Sequence, residues 1–407
     1  MARDLTKVFI TPKGEKHLKT GHPWVFGEEI TAVNGSYTNG DVVDVYSQKE
    51  RFLGSGYIND NSKIRVRIIS RNANDKFDDA FYERRLRYAV DYRRTVMGDE
   101  DFKCCRLVFG EADSFPGLTV DRFNNILVIQ VLSLGIERVK TFIVTKLVEI
   151  LREQGETIDA VYERNDVAIR EREGMEQYKG FFKAEGLKTD LDGVTEITEN
   201  GIKYAVDYIN GQKTGFFLDQ KYNRMAIRKI AKGRKVLDCF THTGAFALNA
   251  AAAEAKLVTA VDISEDALTS AKRNAQLNGF TNMEFKCANV FDLLTEMKET
   301  KSCDYDFIIL DPPAFTKSSA TVKSAYRGYK EINLKAMKLL PRGGYLATCS
   351  CSHFMPDELF KKMLNDAATD AGVSLRQIEC RQQSADHPIL WNVPETDYLK
   401  FYIFQVV

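Results

Sequence analysis

Short apolar runs separated by turn residues dominate the first part of the chain, over residues 8–70. Three strand-like runs, accompanied by Asn-Gly and Asn-Asp pairs, lie at residues 42–46, 52–57 and 64–69. Such runs predict a small β-barrel over residues 1–72. In the last run, alternation places Arg65 and Arg67 on the face opposite the apolar residues.

The middle of the chain mixes helical and strand periodicity. Residues 78–97 place apolar side chains at helical spacing among several arginines, which predicts a helix. Four more strands are predicted at residues 107–109, 118–120, 126–132 and 160–163, and one helix is predicted at residues 137–153. We therefore predict a small central α+β domain over residues 73–190.

The last part of the chain begins with a predicted hairpin around Asn200-Gly201 and then alternates apolar strands with helices. The later strands are predicted at residues 235–240, 257–262, 283–285, 307–311 and 345–348. This alternation is typical of a parallel sheet covered by helices on both faces. Residues 191–407 are thus predicted to form an α/β, Rossmann-like domain.

Composition excludes several classes of protein. A chain of 407 residues corresponds to two or three domains, and a hydrophobic fraction of 44% is too high for a disordered protein. Lys plus Arg and Asp plus Glu both total 57, so any nucleic-acid contact must use local patches. Only residues 1–72 lean positive, with 11 basic and 8 acidic side chains.

Targeting and metal signals are missing from the sequence. No stretch reaches the roughly 20 apolar residues that span a bilayer, and the amino terminus is charged where a signal peptide is apolar. We therefore predict a cytoplasmic protein without a membrane partner. The eight cysteines form no Cys-x-x-Cys pair, so no metal site is predicted.

Ligands of such a sheet bind beyond the carboxyl ends of its strands. The first of these strands leads through Asp238 to the single glycine Gly244, where a dinucleotide fold would show Gly-x-Gly-x-x-Gly. Asp262 follows 18 residues later and is placed to accept both hydroxyls of a ribose. With Asn289 after the third strand, this pattern predicts a nucleoside without a diphosphate. S-adenosylmethionine fits, because its ammonium group would pair with Asp238.

An acid, two prolines and an aromatic ring follow the fourth strand, as Asp311-Pro312-Pro313-Ala314-Phe315. The prolines leave no backbone donors there, so the carbonyls point into the crevice. This turn is suited to a flipped planar base. Phe315 would stack on the base, and Asp311 would accept from an amino group or donate to a ring nitrogen.

Two thiols, Cys349 and Cys351, lie at the end of the next strand. A thiolate at this edge could attack carbon 6 of a cytosine and thereby make carbon 5 nucleophilic toward a methyl donor. Alternation places both cysteines on one side of a continued strand, which leaves open which of them attacks.

Long strings of this sequence resemble the S-adenosylmethionine-dependent ribosomal RNA large-subunit cytosine-5 methyltransferases with an amino-terminal PUA domain, the large-subunit methyltransferase I-like family. The strings that resemble the PUA domain are residues 21–26, 40–43 and 54–57. Those that resemble the central domain are residues 113–122 and 162–166. Those that resemble the class I methyltransferase domain are residues 211–220, 311–315, 327–333 and 349–352.

The resemblance implies an activity and roles for particular residues. The activity is methylation of carbon 5 of a cytosine in large-subunit (23S) ribosomal RNA through a covalent adduct with Cys351, by a homodimer. Asp311 would be the second catalytic residue, and the base would contact Pro312, Pro313 and Phe315. Cofactor contacts are expected from Phe217, Gln220, Asp238, Thr243, Gly244, Asp262, Ile263, Asn289 and Asp311.

One position departs from a wider group of RNA cytosine-5 methyltransferases, in which a second Cys follows the motif's proline. Ala314 stands there instead. The base that removes the carbon 5 proton is therefore unassigned among Cys349, His353 and a water held by Asp311.

RNA contacts are expected from the β-barrel, from the central domain and from cations near the crevice. The candidate residues are Arg65, Arg67, Lys213, Lys317, Lys323, Arg327 and Lys330. Two other functions stay open: N-methylation of a purine base of RNA, which needs no thiol, and a non-catalytic RNA-binding ribosome assembly factor. A dehydrogenase is disfavoured, because the pyrophosphate loop is missing.

Overall fold

The computed structural model describes residues 5–407, which divide into two compact units. The first unit comprises the described residues up to Ile197, with Val206–Leu218 and Ala385–Thr396. The second comprises Thr198–Ala205, Asp219–Ser384 and Asp397–Val407. The three domain ranges expected from the sequence stay a prediction, and residues 1–4 of the first range lie outside the described part.

A six-stranded sheet with the form of a half-barrel opens the first unit. Its elements are β1 Lys7–Ile10, α1 Pro12–Lys19, β2 Trp24–Phe26, β3 Ile30–Asn34, β4 Val42–Ser47, β5 Phe52–Ile58 and β6 Ile64–Ser70. The strands follow the order β2-β6-β5-β4-β1-β3. At Gly56 in β5, any Cβ atom would lie 2.2 Å from the carbonyl oxygen of Arg67 in β6, so only glycine allows this strand pair.

A five-stranded sheet covered by helices completes the first unit. Its elements are α2 Asp79–Val96, α3 Asp99–Phe102, β7 Cys104–Phe109, β8 Leu118–Phe123, β9 Ile126–Val131, α4 Leu134–Glu153, β10 Ala160–Asn165, α5 Ile169–Arg172 and β11 Tyr178–Phe181. The strand order is β11-β10-β9-β8-β7, and only the β9–β10 pair is parallel. Asp78 caps α2 by accepting a hydrogen bond from the Phe81 amide, so the helix begins where the sequence predicts it.

Buried arginines bind distant segments of the first unit together. Arg93 is fully buried on α2 and makes two hydrogen bonds to the Asp113 carboxylate, at 2.5 and 2.8 Å. Its guanidinium also donates to the carbonyl of Asp386, and the Asp386 carboxylate accepts from the amide of Arg106. The segment around Asp386 thus belongs to the first unit, because its carbonyl and carboxylate oxygens accept hydrogen bonds from donors of that unit.

A two-stranded hairpin, β12 Val194–Glu199 and β13 Ile202–Asp207, precedes the elements of the second unit. The helices that follow are α6 Lys221–Ala226, α7 Arg228–Ala231, α8 Ala245–Ala252, α9 Glu265–Leu277, α10 Val290–Thr300, α11 Val322–Leu339 and α12 Asp357–Ala371. The strands are β14 Lys235–Cys239, β15 Leu257–Asp262, β16 Met283–Cys287, β17 Phe307–Leu310, β18 Tyr345–Ser350, β19 Leu375–Arg381 and β20 Lys400–Val406.

The seven strands of this sheet follow the order β16-β15-β14-β17-β18-β20-β19. β14 to β18 pair in parallel, as the alternation of strands and helices predicts. The sheet also contains β19 and β20, which the pattern does not predict, and β20 runs antiparallel between β18 and β19. The antiparallel strand places Lys400 directly opposite Ser350, at the end of β18 that leads to Cys351.

Packing on both faces of the sheet explains why its strands are almost wholly apolar. Val236, Ile309 and Phe401 belong to one buried cluster, and Leu237 and Ile308 belong to the cluster on the other face.

None of the helices between residues 5 and 407 combines the length and apolar character that crossing a bilayer requires.

A buried ion pair supports the second unit. Arg224 of α6 makes two hydrogen bonds to Glu199, at 2.7 and 2.8 Å, and the two side chains are 2% and 0% exposed. We expect Arg224→Met to lower the free energy of unfolding by about 3–5 kcal/mol, because it leaves a buried carboxylate uncompensated. The urea midpoint, followed by circular dichroism, measures this loss.

The matched control is Lys232→Met, because Lys232 pairs with Glu254 on the surface, where both side chains are more than 70% exposed. Its cost should stay below about 1 kcal/mol. The double variant Glu199→Leu/Arg224→Met should recover part of the loss. Equal urea midpoints for Arg224→Met and Lys232→Met would contradict a stabilising role for the buried Arg224–Glu199 pair.

Candidate functional site

A tight turn connects β14 to α8 at the carboxyl edge of the sheet. Three of its residues have left-handed backbone conformations: Phe240 (φ 63°), His242 (φ 51°) and Gly244 (φ 83°). Such a conformation costs a non-glycine residue on the order of 1 kcal/mol, and it is retained where surrounding contacts require it. At Gly244, a Cβ atom would also come within 2.9 Å of Leu248 and 3.0 Å of Ala271, so both the backbone conformation and the helix packing favour glycine here.

Asp238 lies beneath this turn and is fully buried. Its Oδ2 accepts hydrogen bonds from Thr241 Oγ1 (2.5 Å) and from the Ala247 amide (3.0 Å). Its Oδ1 and the buried Oγ1 of Thr243 have no hydrogen-bond partner among the described residues. Burial, with the charges of Asp311 and Asp262, raises the pKa of Asp238 to about 7.

The next strand end carries Asp262 and an exposed apolar side chain. Asp262 Oδ2 accepts from the His242 amide (2.9 Å), and its Oδ1 accepts from the Ser264 amide (3.0 Å). The side chain of Ile263, which follows directly, is 69% exposed. Asn289 is exposed as well, and its Oδ1 caps α10 through the Phe291 amide at 2.9 Å.

These residues fit an amino-acid nucleoside that carries positive charge. Asp238 Oδ1 and Thr243 Oγ1 are buried polar atoms without partners, and such atoms in a folded protein call for a ligand or a water. Ile263 offers an apolar surface beside Asp262, as a purine ring next to a ribose would require. Among residues 5–407, no group of three or more His, Cys, Asp or Glu side chains is arranged to hold a metal ion.

Asp311 follows β17, one residue after the strand ends, and it is held by two neighbours. Gln220 donates to its Oδ1 at 3.0 Å, and Asn223 in turn donates to Gln220 at 2.7 Å. The buried thiol of Cys349 also acts on the Asp311 carboxylate and favours its charged form. Loss of hydration, together with the charge of Asp219, raises the pKa of Asp311 to about 6.

The structure brings Cys351 to the turn that begins with Asp311. Its Sγ lies 4.0 Å from the carbonyl oxygen of Pro312. Ser352 Oγ donates to the carbonyl of Thr316 at 2.8 Å, which ties the two segments together again. The ring of Phe315 packs against Tyr329, with 4.5 Å between ring centroids, so one side of that ring is already covered. Pro312 is buried and Pro313 is exposed.

The candidate RNA-binding cations differ in how far their charge is already compensated. Lys317, Lys323 and Arg327 are exposed near this turn, whereas Lys330 pairs with Asp370 at 2.7 Å. Their contacts with RNA stay predictions.

The remaining candidates lie in the first unit. Arg65 pairs with Asp60, and Arg67 is 13% exposed and pairs with Glu111 and Glu173 at 3.3 and 3.0 Å. The charge of Arg67 is therefore already compensated within its own unit. Lys213 lies over the ring of Phe217 at 4.7 Å, and both belong to Val206–Leu218. The RNA contacts of Arg65, Arg67 and Lys213 and the cofactor contact of Phe217 stay predictions.

Sequence reasoning missed Lys400, which lies next to the thiol loop. Its Nζ donates to the carbonyl of Ser352 at 2.7 Å. No motif marks this residue, because it reaches the site only through the antiparallel pairing of β20 with β18.

Comparison with known proteins places these features in a family. A model of the S-adenosylmethionine-dependent methyltransferase family matches residues 157–403, and a model of the PUA-like domain matches residues 8–71. The ribosomal RNA large subunit methyltransferase I of Pseudoalteromonas atlantica is 40% identical over 404 residues, which are 99% of this chain and all of that protein. The chain belongs to the ribosomal RNA large subunit methyltransferase I family.

Another relative agrees with this membership, and two solved structures share the fold. The family member from Aeromonas salmonicida is 40% identical over 97% of both chains. A Streptococcus mutans protein described as a SAM-dependent methyltransferase has a TM-score of 0.81 at 22% identity and covers 98% of this chain. SMU.776, solved in complex with SAH, has a TM-score of 0.82 at 22% identity and covers 98% of this chain and all of its own.

The predicted fold is confirmed by these matches, with its PUA-like amino-terminal domain and Rossmann-like methyltransferase domain. The predicted cofactor is confirmed as well: as a member of this family, the protein uses S-adenosylmethionine.

Asp238 provides a test of the cofactor site. We expect Asp238→Asn to weaken S-adenosylhomocysteine binding about 10–100-fold, the effect of losing one charge-assisted hydrogen bond to an ammonium group. In the wild type, affinity should rise as the pH increases from 6 to 8, because only ionised Asp238 attracts the ammonium and its pKa is about 7. Isothermal titration calorimetry across this range measures both effects.

The control for Asp238→Asn is Asp304→Asn, which changes an exposed acid that pairs with Lys235. Its affinity and pH dependence should match those of the wild type. Wild-type affinity at every pH in the Asp238→Asn protein would exclude an ammonium contact at Asp238.

Proposed function

We propose that the protein transfers a methyl group to carbon 5 of a cytosine in large-subunit ribosomal RNA through a covalent adduct with Cys351. Family membership supports the substrate class, because relatives that are 40% identical to this chain are named for ribosomal RNA of the large subunit. The observation that carries the reaction type is the 4.0 Å contact between Cys351 Sγ and the Pro312 carbonyl. It joins a thiol to a turn suited to a planar base.

Carbon 5 of cytosine is a poor nucleophile, and covalent addition of Cys351 to the base makes it a better one. Its thiolate adds to carbon 6, and the electron pair of the 5,6 double bond moves toward carbon 5. Carbon 5 can then take a methyl group from a sulfonium. Removal of the carbon 5 proton finally restores the double bond and expels the Cys351 thiolate, which frees the enzyme.

Bound S-adenosylmethionine supplies a methyl group on a sulfonium whose sulfur keeps the bonding electron pair. Asp238 and Thr243 would hold its ammonium end through the buried oxygens that have no partner among the described residues. Asp262 would hold the ribose hydroxyls, and Ile263 would cover the purine. Gln220 acts indirectly in this proposal, because its hydrogen bond orients the Asp311 carboxylate.

Asp311 would bind the Watson–Crick edge of the base. With its pKa raised to about 6, a protonated carboxyl is accessible near neutral pH and can donate to the ring nitrogen as negative charge develops there. The hydrogen bond from Gln220 leaves Oδ1 as an acceptor, which directs the proton to Oδ2. Asp311 would therefore stabilise the adduct that Cys351 forms.

Burial excludes one of the three candidates for the base that removes the carbon 5 proton. Cys349 is fully buried, and loss of hydration raises the pKa of its thiol well above the ordinary value, so it stays protonated and is a poor base. His353 is partly exposed, with its ring beside Phe354 at 5.3 Å. His353 and a water held by Asp311 remain as candidates.

RNA binding is assigned to the amino-terminal domain and to the exposed cations near the site, in keeping with the PUA-like match over residues 8–71. The central sheet would contribute to RNA recognition. The homodimer and the cytoplasmic location expected from the sequence stay predictions.

The decisive variant is Cys351→Ala. We expect it to reduce formation of 5-methylcytosine in unmodified large-subunit ribosomal RNA at least about a thousandfold, because no group replaces the nucleophile. Incubation with labelled S-adenosylmethionine, digestion to nucleosides and mass spectrometry identify the product. Cys380→Ala, which removes an exposed thiol of β19, should keep wild-type activity.

Other outcomes of this experiment separate the alternatives. Full activity of Cys351→Ala would end the thiol mechanism, and a methylated purine would point to N-methyl transfer instead. Tight S-adenosylhomocysteine binding without turnover on any RNA would favour an assembly factor without catalysis.

The exposed cations near Cys351 give a second prediction. If Lys317, Lys323 and Arg327 contact phosphates, replacing all three by Ala should weaken RNA binding for every sequence. The slope of log K against log salt should also flatten by about 0.7–0.9 for each lost contact. Fluorescence anisotropy with labelled RNA at several salt concentrations measures the slope.

A triple variant of equal charge is the control. Lys232 and Lys256 are exposed before β14 and β15, and Lys298 lies in the last turn of α10, all toward the opposite edge of the sheet. Their replacement by Ala should leave the slope almost unchanged. Equal slopes in both triple variants and the wild type would remove the three cations from the RNA-binding surface.

A further inference from the structure

Lys400 is a buried cation beside the proposed nucleophile. It is the first residue of β20 and lies opposite Ser350, the last residue of β18. Its side chain is 4% exposed, and its Nζ donates to the carbonyls of Ser352 (2.7 Å) and Tyr398 (2.9 Å). The ammonium is therefore held at the carbonyl of the residue that directly follows Cys351.

No carboxylate compensates this charge at close range. Within the described chain, Lys400 forms no ion pair, although Asp397 and Asp357 attract it from a distance. Asp357 already accepts a hydrogen bond from Tyr402 (2.5 Å) and pairs with Lys361 (2.7 Å). A buried ammonium without a counter-ion is costly, and backbone carbonyls only partly replace its hydration.

Several titratable groups act on Cys351 besides Lys400. Cys349, on the same strand, and Tyr329, on α11, both interact with it electrostatically. Both are neutral near pH 7, because burial raises the pKa of the thiol well above its usual value and that of Tyr329 to about 12. Asp311 lies across the turn, and its negative charge opposes a thiolate. Lys400 favours a thiolate and is in turn stabilised by it.

We propose that Lys400 is a positioning residue for methyl transfer: its ammonium, fixed at the carbonyl after Cys351, stabilises the thiolate that attacks the base. This inference rests on the proposed function, because it gives Cys351 the role of nucleophile. It assigns the activation of the thiol to a residue 49 positions further along the chain.

The effect has a defined range of pH. Burial lowers the pKa of Lys400 to about 8, whereas Asp397, Cys351 and Asp357 act in the opposite direction. The ammonium is therefore present at neutral pH and is lost as the pH rises through about 8. The stabilisation of the Cys351 thiolate is available below that pH and fades above it.

Alkylation of the thiol tests the inference without methyl transfer. The full-length protein is treated with iodoacetamide between pH 5.5 and 10, and modification of each cysteine is followed by mass spectrometry. Exposed Cys287 serves as a reference within the same molecule. In the wild type, the pH midpoint for Cys351 should lie at least about one unit below that for Cys287, as expected for a thiol near a cation.

Lys400→Met removes the charge and keeps much of the apolar chain. The midpoint for Cys351 should rise by at least about one unit, so that alkylation at pH 7 slows about tenfold, while Cys287 is unaffected. Lys400→Arg should restore part of the shift, because it keeps the charge. Lys362→Met, which removes an exposed cation paired with Asp366, should leave both midpoints unchanged.

An unchanged Cys351 midpoint in a folded Lys400→Met protein, as shown by wild-type S-adenosylhomocysteine affinity, would overturn the inference. If that variant fails to fold, the wild-type comparison decides, because a Cys351 midpoint at or above that of Cys287 overturns it equally. Full methylation by Cys351→Ala would instead contradict the proposed function. In methylation assays, Lys400→Met should lower kcat about tenfold at pH 7 and leave KM for RNA unchanged.

Discussion

Two poorly hydrated carboxylates at the carboxyl edge of the seven-stranded sheet, the fully buried Asp238 and the partly buried Asp311, are the constraint on which the site depends. Asp238 and Asp311 lie at the ends of neighbouring parallel strands, and the charge of Asp311 raises the cost of ionising Asp238. Hydrogen bonds from Thr241, Gln220 and the Ala247 amide compensate only part of their lost hydration. In the proposed function a cationic cofactor would relieve this repulsion, because the acids and the sulfonium compound are matched in charge.

The thiol side of the site has the opposite electrostatic character. There the buried group is the ammonium of Lys400, which is held by two carbonyl oxygens rather than by an acid. An acid in that place would pair with the ammonium and weaken its effect on Cys351. The parallel strands of this sheet thus carry acids suited to a cationic ligand. Where β20 pairs with β18, the sheet instead carries a cation suited to a thiolate.

Much of the fold follows from local patterns, and particular elements show where such patterns end. β15 has the predicted bounds Leu257–Asp262, and α9 follows Ser264, whose side chain accepts from the Ala267 amide as a helix start requires. β17 ends at Leu310, one residue earlier than predicted, and Asp311 turns to bind Gln220. The antiparallel position of β20 was not predicted, because strand order depends on packing between distant segments.

The sequence by itself determined the family, the cofactor and the residues that follow each parallel strand. It could do so because parallel strands end at one edge, so that Asp238, Asp262 and Asp311 converge whatever the loops do. Only the tertiary structure decided that Arg67 is compensated by Glu111 and Glu173, and that Lys400 lies beside the thiol loop. Those contacts join residues far apart in the chain, and local periodicity carries no information about which distant charge will be buried next to which.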